Sequence, residues 1–489
     1  MRVLCLIVAA LPLLQAEVKL PSLLGDRMLL QRQAPVRIYG RANPAEQVTV
    51  RFAGQSVSTA ADAQGRWEAW LKPMEAGGPL EMTIASENTI TLRDVLVGEV
   101  WVASGQSNMQ WPVERSRDAE KEAAAANNPK LRLFKVALKV SDQPLDDVSG
   151  AWQACTPETV KSFSAVAYFF ARQLVEKLGV PVGMIQSAWG GTPAEAWTSR
   201  RTLVSDASLQ FFLTEWEKVL VAYPDTLRRY EEELKKAEAA GKPAKPQPPR
   251  GPGHQHSPTG LYNAMIAPLT PYAIRGAIWY QGENNAGAGH GYVYRHLFES
   301  MIRDWRAGWG QGDFPFLFVQ LANYGKASAN GHWPLIQEAQ TKTLELRATG
   351  MAVTIDIGAA DDIHPTNKQD VGLRLGLAAR ALAYGEKVVY SGPVFRQATR
   401  EGNRLRLWFD HVGGGLRAKD GALKGFVLAG PDRVFHPAEA EIDGETIMVS
   451  SASVTAPVAV RYAFADNPEC NLYNAEGLPA VPFRSDDWR

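Results

Sequence analysis

Cysteine and paired metal ligands are scarce in this chain. Only 3 of its 489 residues are cysteines, and Cys5 lies in the N-terminal apolar stretch, which leaves Cys155 and Cys470 far apart in the sequence. No CxxC pair or HExxH helix is present, and the close histidines His254 and His256 lie in a segment rich in proline and glycine. The pattern therefore predicts no metal site. Whether Cys155 and Cys470 form a disulfide is left open.

An excess of charge of either sign is also absent, since 52 basic residues balance 52 acidic ones. Without a net field the chain has no general attraction to nucleic acid or to an anionic membrane, so a small or neutral ligand is expected. With 489 residues, 45% of them hydrophobic, it can bury a large core and is too long for one compact domain. Two or three domains are predicted.

Long apolar runs are confined to the N-terminus. The first 16 residues have the pattern of a secretory signal peptide: a positive charge at Arg2, an apolar stretch from Val3 to Leu14, and Gln15-Ala16 before Glu17. A buried first strand or helix is the alternative. No later segment approaches the roughly twenty uninterrupted apolar residues of a membrane helix. We therefore expect residues 1–16 to be removed, and the mature protein to be secreted or periplasmic without a membrane anchor.

The periodic segments divide the mature chain into three regions. Residues 17–94 contain short alternating runs separated by turn formers, which is typical of a small β-sandwich. Residues 95–387 alternate apolar strands with amphipathic helices, which favours a parallel sheet with helices on both faces. An insertion at about residues 220–260 joins a charged helix, from Asp225 to Ala240, to a stiff proline-rich loop. Residues 388–489 return to strands and predict a second β-rich region.

Five apolar runs supply the strands of the predicted parallel sheet: Val95–Ala103, Val182–Ser187, Ile274–Tyr280, Pro315–Gln320 and Met351–Ile357. Joined by helices, they predict a flavodoxin-like α/β domain. Thr192, Pro193 and Glu195 form a capping-box pattern, so a helix is expected to begin directly after Gly190-Gly191. Ligands of such sheets bind at the carboxyl ends of the strands.

A potential nucleophile follows the first of these strands. Ser107 lies in the segment Gly105-Gln106-Ser107-Asn108-Met109, directly after the strand that ends at Ala103. A hydroxyl at the carboxyl end of a buried strand lies where open α/β sheets place their chemistry. In the alternative interpretation, Ser107 or Asn108 only caps the next helix.

An imidazole and two carboxylates follow the last predicted strand. His364 comes shortly after Asp361 and Asp362, at the same edge of the sheet as Ser107. A serine nucleophile needs a base to take its proton, and the base needs an acceptor that fixes its tautomer and stabilises its cation. We predict His364 as the base and Asp361 as the acceptor. Alternatively, both aspartates belong to a surface turn and His364 only packs beside Pro365.

Two further loops at this edge carry potential oxyanion donors. Gly190 and Gly191 precede a predicted helix N-terminus, where backbone N–H groups are free. Asn284 follows the strand Ile274–Tyr280 and offers a side-chain amide. Tight turns that need glycine, and an Asx turn at Asn284, are the alternatives.

Several sequence blocks resemble a known family. Four blocks in order are similar to the SGNH hydrolases: Ser107 in Gly-Gln-Ser-Asn, Gly190-Gly191, Asn284 in Gln-Gly-Glu-Asn, and His364 in Asp-x-x-His. Longer blocks resemble the sialate O-acetylesterases: Gly98-Glu99-Val100-Trp101, Ser104-Gly105-Gln106-Ser107-Asn108-Met109, Trp279-Tyr280-Gln281-Gly282-Glu283-Asn284 and Asn471-Leu472-Tyr473-Asn474. The resemblance covers nearly the whole mature chain.

The resemblance implies an SGNH-type fold and a serine esterase that removes O-acetyl groups from sugars, foremost 9-O-acetylated sialic acids. Ser107 would be the nucleophile, His364 the base and Asp361 the orienting acid. The implied oxyanion donors are the Ser107 N–H, the N–H of Gly190 or Gly191, and the Asn284 side chain. The mechanism would need no metal or organic cofactor.

Side chains near these loops are candidates for contact with the sugar. They are the polar residues Gln106 and Glu283 and the aromatic residues Trp189, Trp197, Tyr280, Tyr324 and Trp333. Core packing is the alternative for each aromatic residue, and a structural salt bridge is the alternative for Glu283.

Gln337 departs from the family pattern. The resemblance predicts an arginine before Glu338-Ala339-Gln340, and this chain has Gln337 there, which weakens the implied preference for sialic acid. Acetylated polysaccharide such as xylan is an alternative substrate for the same catalytic residues. A noncatalytic sugar-binding protein is an alternative of another class, which the intact Ser107, Asp361, His364 and Asn284 disfavour.

Overall fold

The computed structural model describes residues 17–239, 247–325 and 331–488. The predicted signal peptide, residues 1–16, lies outside the described residues, and so does Ala240 at the end of the predicted charged helix. None of the helices in these three ranges combines the length and the apolar character that spanning a bilayer requires.

The strands of the described residues are β1 Leu29–Gln31, β2 Val36–Arg41, β3 Gln47–Phe52, β4 Gln55–Ala60, β5 Arg66–Leu71, β6 Gly77–Ala85, β7 Thr89–Gly105, β8 Asn128–Lys135, β9 Trp152–Cys155, β10 Val182–Ala188, β11 Gly276–Tyr280, β12 Phe316–Val319, β13 Thr349–Ala352, β14 Val394–Glu401, β15 Arg404–Asp410, β16 Leu416–Ala418, β17 Phe426–Ala429, β18 Phe435–Pro437, β19 Glu439–Asp443, β20 Thr446–Ser450, β21 Ala459–Tyr462, β22 Leu472–Asn474 and β23 Phe483–Arg484.

The α-helices of the same residues are α1 Ser107–Gln110, α2 Ala119–Ala124, α3 Ala165–Leu178, α4 Arg200–Ser205, α5 Gln210–Ala239, α6 Glu283–Gly287, α7 Gly291–Trp309, α8 Trp333–Lys342 and α9 Lys368–Leu382. Short 3₁₀ turns lie at Val113–Arg115, Ala194–Trp197, Ala267–Leu269 and Thr343–Glu345, and a π-helical turn lies at Tyr262–Ile266.

β7 lies in the middle of a central sheet whose strand order is β13-β12-β11-β7-β10-β8-β9. Every neighbouring pair is parallel except β8 and β9, so the sheet is mixed. All five predicted strands belong to it, whereas β8 and β9 were not predicted. The last predicted strand ends at Ala352 rather than at Ile357, because its only partner, β12, ends opposite it at Val319.

Helices cover both faces of this sheet. Trp101 of β7 contacts Phe170 of α3 at a ring distance of 5.0 Å. Successive residues of a strand point to opposite faces, so Ser104 of β7 faces away from the side that Trp101 occupies. Trp279 of β11 pairs in register with Ser104 and therefore lies on that second face. Trp279 packs on Phe298 of α7 at 6.3 Å. The predicted arrangement of helices around an α/β sheet is therefore observed.

The N-terminal β region is continuous with the central sheet. β7 is 17 residues long, and its first half pairs with β6 while Leu96, Val97 and Gly98 pair with β1. The predicted boundary between residues 94 and 95 falls inside this strand. Buried residues of both regions, such as Leu29 and Val100, belong to one hydrophobic core. The N-terminal region thus supports β7 at its amino end.

The C-terminal β region has a core of its own. Leu407, Leu428, Ile447 and Val460 are buried in a hydrophobic cluster separate from that of the central sheet. Their strands form two antiparallel four-stranded sheets, β14-β15-β20-β19 and β18-β17-β21-β23. Strands were predicted at these positions from alternation.

Two local predictions differ from the structure. The charged helix of the insertion begins at Gln210 rather than near Asp225, and Pro224 lies inside it. After Gly191 the chain forms the 3₁₀ turn Ala194–Trp197 instead of an α-helix. There the Ala194 N–H donates to the Asn285 side chain, so a tertiary contact replaces the expected capping box.

The two cysteines are separate thiols in the structure. Cys155 is buried, and its Sγ donates a hydrogen bond to the Ala126 carbonyl at 3.4 Å. Cys470 is partly buried. Burial raises the pKa of the Cys155 thiol to about 12 and that of Cys470 to about 11, which disfavours the reactive thiolate form of both.

Candidate active site

Ser107 lies at the carboxyl edge of the central sheet, where β7 ends and the short helix α1 begins. The turn depends on Gly105, whose φ is +136°. A Cβ atom at Gly105 would lie 2.1 Å from the Tyr280 carbonyl oxygen of β11, so only glycine fits this close approach. The sharp turn leaves Ser107 half-buried while Asn108 and Met109 are buried.

His364 is brought to Ser107 by the loop that follows β13. Its Nε2 lies 2.9 Å from Ser107 Oγ, which is hydrogen-bonding distance. The Trp111 ring stacks on the imidazole with a centroid distance of 4.9 Å and an interplanar angle of 16°. Partial burial, and next the positive charge of Lys368, lower the pKa of His364. The neutral imidazole is thereby favoured, and only that form can accept a proton from Ser107.

The carboxylate nearest the imidazole belongs to Asp362. One of its oxygens accepts the backbone N–H of His364 at 2.8 Å and lies 3.7 Å from His364 Nδ1. Among the residues that the structure describes, no hydrogen bond or ion pair joins Asp361 to His364. The structure thus differs from the prediction of Asp361 as acceptor, because the loop backbone turns Asp362 rather than Asp361 back to the histidine.

The glycine loop lies directly against Ser107. A Cβ atom at Gly190 would lie 3.4 Å from Ser107 Cβ. The Gly190 N–H donates to Gln110 Oε1 at 2.8 Å, and the Gly190 carbonyl accepts from Gln255 Nε2 at 3.1 Å. Two glutamines therefore fix the Gly190 peptide beside Ser107.

Asn284 joins the same group of residues from α6. Its Nδ2 donates to the Gly191 carbonyl at 2.8 Å, which leaves the second hydrogen of that amide for another acceptor. Its backbone N–H donates to Gln106 Oε1 at 3.2 Å. The structure thus brings the predicted donors of Gly190, Gly191 and Asn284 together around Ser107.

Three of the candidates for sugar contact are buried beneath the site. Gln106, Tyr280 and Glu283 are 3%, 1% and 5% exposed. This differs from the prediction that they contact the sugar, because Tyr280 is buried at the end of β11 and the other two side chains turn inward beside Ser107 and Asn284. Trp189 is half-buried and packs against the core, and Trp197 is fully buried.

A buried polar network lies behind Ser107 and His364. Asn108 Nδ2 donates to Glu283 Oε1 at 2.6 Å and to the Ile363 carbonyl at 2.9 Å. The Asn108 side-chain oxygen, Oδ1, accepts from Lys368 Nζ. Lys368, the first residue of α9, is fully buried, and sequence reasoning missed it because no local pattern connects it to residues 260 positions earlier.

A cleft of about 400 Å³ opens at Ser107 and His364. It is lined by Ser107, Gln110, Trp111, Pro112, Glu114, Arg115, Lys135, Ser162 and His364. Two of these, Arg115 and Lys135, are exposed basic side chains that the sequence did not mark. Their only sequence signal is that Arg115 closely follows Ser107.

Gln337 has a structural role. It is 1% exposed, and its Nε2 donates to the Leu321 carbonyl at 2.8 Å. The neighbouring Glu338 forms a two-pronged ion pair with Arg484 of the C-terminal region, with both N–O distances at 2.8 Å. A buried glutamine therefore occupies the position where the family pattern predicts an arginine.

The mixed α/β sheet and the serine and histidine at its carboxyl edge are those of a carboxylic ester hydrolase. The model of a protein family described as carbohydrate esterase, sialic acid-specific acetylesterase, matches residues 97–242 and 252–383. The chain belongs to this family, which confirms the resemblance found in its sequence blocks.

Known proteins are similar over nearly the whole chain. The sialate O-acetylesterase of Mus musculus is 33% identical, with 94% of this chain and 93% of that protein covered. The sialate O-acetylesterase of Homo sapiens is 32% identical over 94% of this chain and 91% of its own length. The crystal structure of a carbohydrate acetylesterase from Xanthomonas citri is 42% identical, with a TM-score of 0.84, and covers 96% of this chain and 100% of that chain.

Proposed function

We propose that this protein is an SGNH-type serine esterase that hydrolyses O-acetyl esters on carbohydrates, with 9-O-acetylated sialic acids as its substrates. The observation that carries the proposal is the 2.9 Å contact between Ser107 Oγ and His364 Nε2 at the cleft. A serine hydroxyl paired with a neutral imidazole is the arrangement that acyl transfer requires. The names of the relatives, sialate O-acetylesterases, supply the substrate class.

In the proposed mechanism, His364 Nε2 takes the Ser107 proton while Oγ attacks the acetyl carbon. The tetrahedral intermediate collapses to acetyl-Ser107, and the sugar oxygen leaves with the proton from His364. Water then attacks the acetyl-enzyme, gives a proton to His364 and releases acetate and the free serine. Acid–base and nucleophilic roles thus rest on two side chains that already touch.

The oxyanion donors are the N–H groups of Ser107 and Gly190 and the second Nδ2 hydrogen of Asn284. The Gly190 N–H is bonded to Gln110 Oε1 at 2.8 Å, so a substrate carbonyl must displace that side chain to reach it. Gln110 lines the cleft and leaves the peptide of Gly190 in a fixed orientation. The donor is therefore held in place before the substrate binds.

Asp362 is the carboxylate that supports the histidine in this proposal. It lies 3.7 Å from His364 Nδ1 and already accepts the His364 backbone N–H. A shortening of less than 1 Å would make the Nδ1–H hydrogen bond that stabilises the imidazolium, and catalytic hydrogen bonds often tighten only when substrate is bound. Asp361 is left without a catalytic role.

Two cations favour an acidic sugar over neutral xylan. Arg115 and Lys135 line the cleft beside Ser107, with Glu114 as the acidic residue of that lining. A carboxylate on the sugar would gain charge-assisted hydrogen bonds from them. The comparison is between kcat/KM for 9-O-acetylated N-acetylneuraminate and kcat/KM for an acetylated xylo-oligosaccharide. A higher value for the xylo-oligosaccharide would refute the sialate assignment and leave the esterase chemistry intact.

The chemistry itself is tested with Ser107→Ala. Hydrolysis of p-nitrophenyl acetate is expected to disappear in this variant and to persist in Ser149→Ala, which changes an exposed serine outside the cleft. Unchanged hydrolysis in purified Ser107→Ala would refute the proposal and would favour a sugar-binding protein.

The proposed place of action is outside the cytoplasm, as a secreted or periplasmic enzyme. The support is the signal-peptide pattern of residues 1–16. Sequencing of the mature N-terminus after expression in a secreting host is expected to begin at Glu17. A protein that keeps Met1 in the cytoplasmic fraction would contradict this.

A further inference from the structure

A buried ammonium group lies behind the catalytic pair. Lys368 is fully buried, and its Nζ donates to Asn108 Oδ1. Nζ also lies 5.4 Å from the ring centroid of Tyr280 and 5.9 Å from that of Trp111. Burying a charge without an opposite charge is costly, so the structure must offset it. Among the described residues, no carboxylate forms a direct ion pair with Lys368.

The nearest acidic partner is Glu283, reached through one amide side chain. Burial raises the pKa of the Glu283 carboxyl, while the Asn108 hydrogen bond and the charge of Lys368 act in the opposite direction and favour the carboxylate. Asn108 accepts from Lys368 with its oxygen and donates to Glu283 and to the Ile363 carbonyl with its two N–H groups. Asn108 directly follows the nucleophile, and Ile363 directly precedes His364. One buried amide therefore ties the nucleophile loop, the histidine loop and two charged groups together.

Lys368 and His364 both lie against the Trp111 ring. The ring stacks on the imidazole at 4.9 Å, and Lys368 Nζ lies 5.9 Å from its centroid. The other charges that face His364 are Asp362 on its own loop and, from the cleft wall, Glu114, Arg115 and Lys135. Lys368 differs from the basic residues of the wall because no solvent screens its charge.

We propose that Lys368 is a positioning residue whose buried ammonium, held by Asn108 and balanced by Glu283, keeps the His364 imidazole unprotonated and ready to accept the Ser107 proton. The inference rests on the proposed esterase function and adds a residue to it. Lys368 is fully buried and is hydrogen-bonded to Asn108 rather than to Ser107, so it would act through the histidine. The direction of the His364 pKa, lowered by Lys368 and raised by Asp362, agrees with this role.

The sign of the effect follows from the charges. A positive charge nearby disfavours the imidazolium and lowers the pKa of His364, and removal of that charge raises it. Burial lowers the pKa of Lys368 itself to about 7, while Glu283 and Asp362 act in the opposite direction. Lys368 is therefore charged in the acidic range in which His364 titrates. Without Lys368, activity should be lost at a higher pH on acidification.

The test measures kcat/KM for p-nitrophenyl acetate from about pH 4.5 to about pH 8.5, where the acid limb reports the base of the free enzyme. In Lys368→Met the midpoint of the acid limb is expected to rise by about 0.5 to 1 pH unit. At pH values below the midpoint, kcat/KM should therefore be about threefold to tenfold lower than in the wild type. Lys177→Met, a change at an exposed lysine of α3, is the matched control and should leave the limb in place.

Lys368→Met leaves Glu283 buried without its counter-charge, so Lys368→Met/Glu283→Gln is a second variant that removes both charges. The same upward shift is expected there. Three results would overturn the proposal and leave Lys368 as a structural residue. They are an acid limb that stays at the wild-type pH in a folded variant, an acid limb that moves to lower pH, and failure of both variants to fold. Activity retained in Ser107→Ala would instead refute the esterase mechanism, so the two failures are distinguishable.

Discussion

Two layers of polar residues meet at the carboxyl edge of the central sheet, and they differ in exposure. The cleft layer, Ser107, His364 and Asn284, faces solvent in part. The buried layer, Asn108, Glu283 and Lys368, is at most 5% exposed. Chain neighbours belong to different layers in two places: Ser107 and Asn108, and Glu283 and Asn284. In each pair, a short helical turn after a strand thus places one residue in the cleft layer and its chain neighbour in the buried layer.

This difference in exposure indicates that the two layers have separate functions. The cleft layer has free donors and a proton acceptor, which is what bond breaking requires. In the buried layer the Asn108 amide uses its oxygen and both of its N–H groups, so it fixes geometry and charge rather than touching substrate. Changes in the first layer should therefore reduce turnover, and changes in the second should alter stability and pH dependence.

The largest effect is expected at the nucleophile. Ser107→Ala should lower kcat by about 10⁴-fold or more, because the attacking oxygen is lost while the fold is kept. Turnover of p-nitrophenyl acetate measures this, and the thermal unfolding temperature should stay within error of the wild type. If Ser107→Ala instead failed to fold, Ser107 would belong to the buried layer, and the distinction between the two layers would not hold.

Asn284→Ala should have the next largest effect. Loss of one oxyanion donor costs about 10²- to 10³-fold in kcat. The KM should change much less, because the amide acts mainly on the transition state. Asn127→Ala, at an exposed asparagine outside the cleft lining, is the control. An effect confined to KM would make Asn284 a substrate-binding residue rather than an oxyanion donor.

Asn108→Ala tests the buried layer. It removes the bridge between Lys368 and Glu283 and leaves two buried charges short of partners, so a loss of about 2 to 3 kcal/mol of stability is expected. Denaturant unfolding with wild type and Asn127→Ala in parallel measures it. Wild-type stability combined with a large loss of turnover would mean that Asn108 belongs functionally to the cleft layer.

The smallest effects distinguish two adjacent aspartates. Asp362→Asn should lower kcat by about tenfold or more, since the carboxylate that stabilises the imidazolium is neutralised. Asp361→Asn should leave kcat unchanged. The two variants serve as controls for each other because they remove the same charge one residue apart. The reverse order of effects would restore Asp361 as the partner of His364.

The sequence predicted the cleft layer better than the buried one, for physical reasons. Ser107, Asn284 and Gly190 each follow an apolar strand, and parallel strands bring their carboxyl ends to one edge. Lys368 carries no such signal, since its contact with Asn108 joins residues 260 positions apart. Tyr280 and Glu283 were predicted to contact the sugar because spacing alone does not tell which side of a turn becomes buried.

The fold shows the same limit. The five predicted strands lie in the central sheet, and the C-terminal region is rich in strands, as predicted. β8 and β9 were missed: β9 has only four residues, Trp152–Cys155, and β8 begins at Asn128-Pro129, which is a turn pattern. The choice between Asp361 and Asp362 depends on loop backbone geometry, which spacing does not determine.

The most direct test of the account is to trap the acetyl-enzyme. The wild-type protein is mixed with p-nitrophenyl acetate, quenched in acid within the first turnover, digested and analysed by mass spectrometry. We predict one added acetyl group on the peptide that contains Ser107, and none on that peptide in Ser107→Ala. An acetyl group on another residue, with activity kept in Ser107→Ala, would contradict the assignment of Ser107 as the nucleophile.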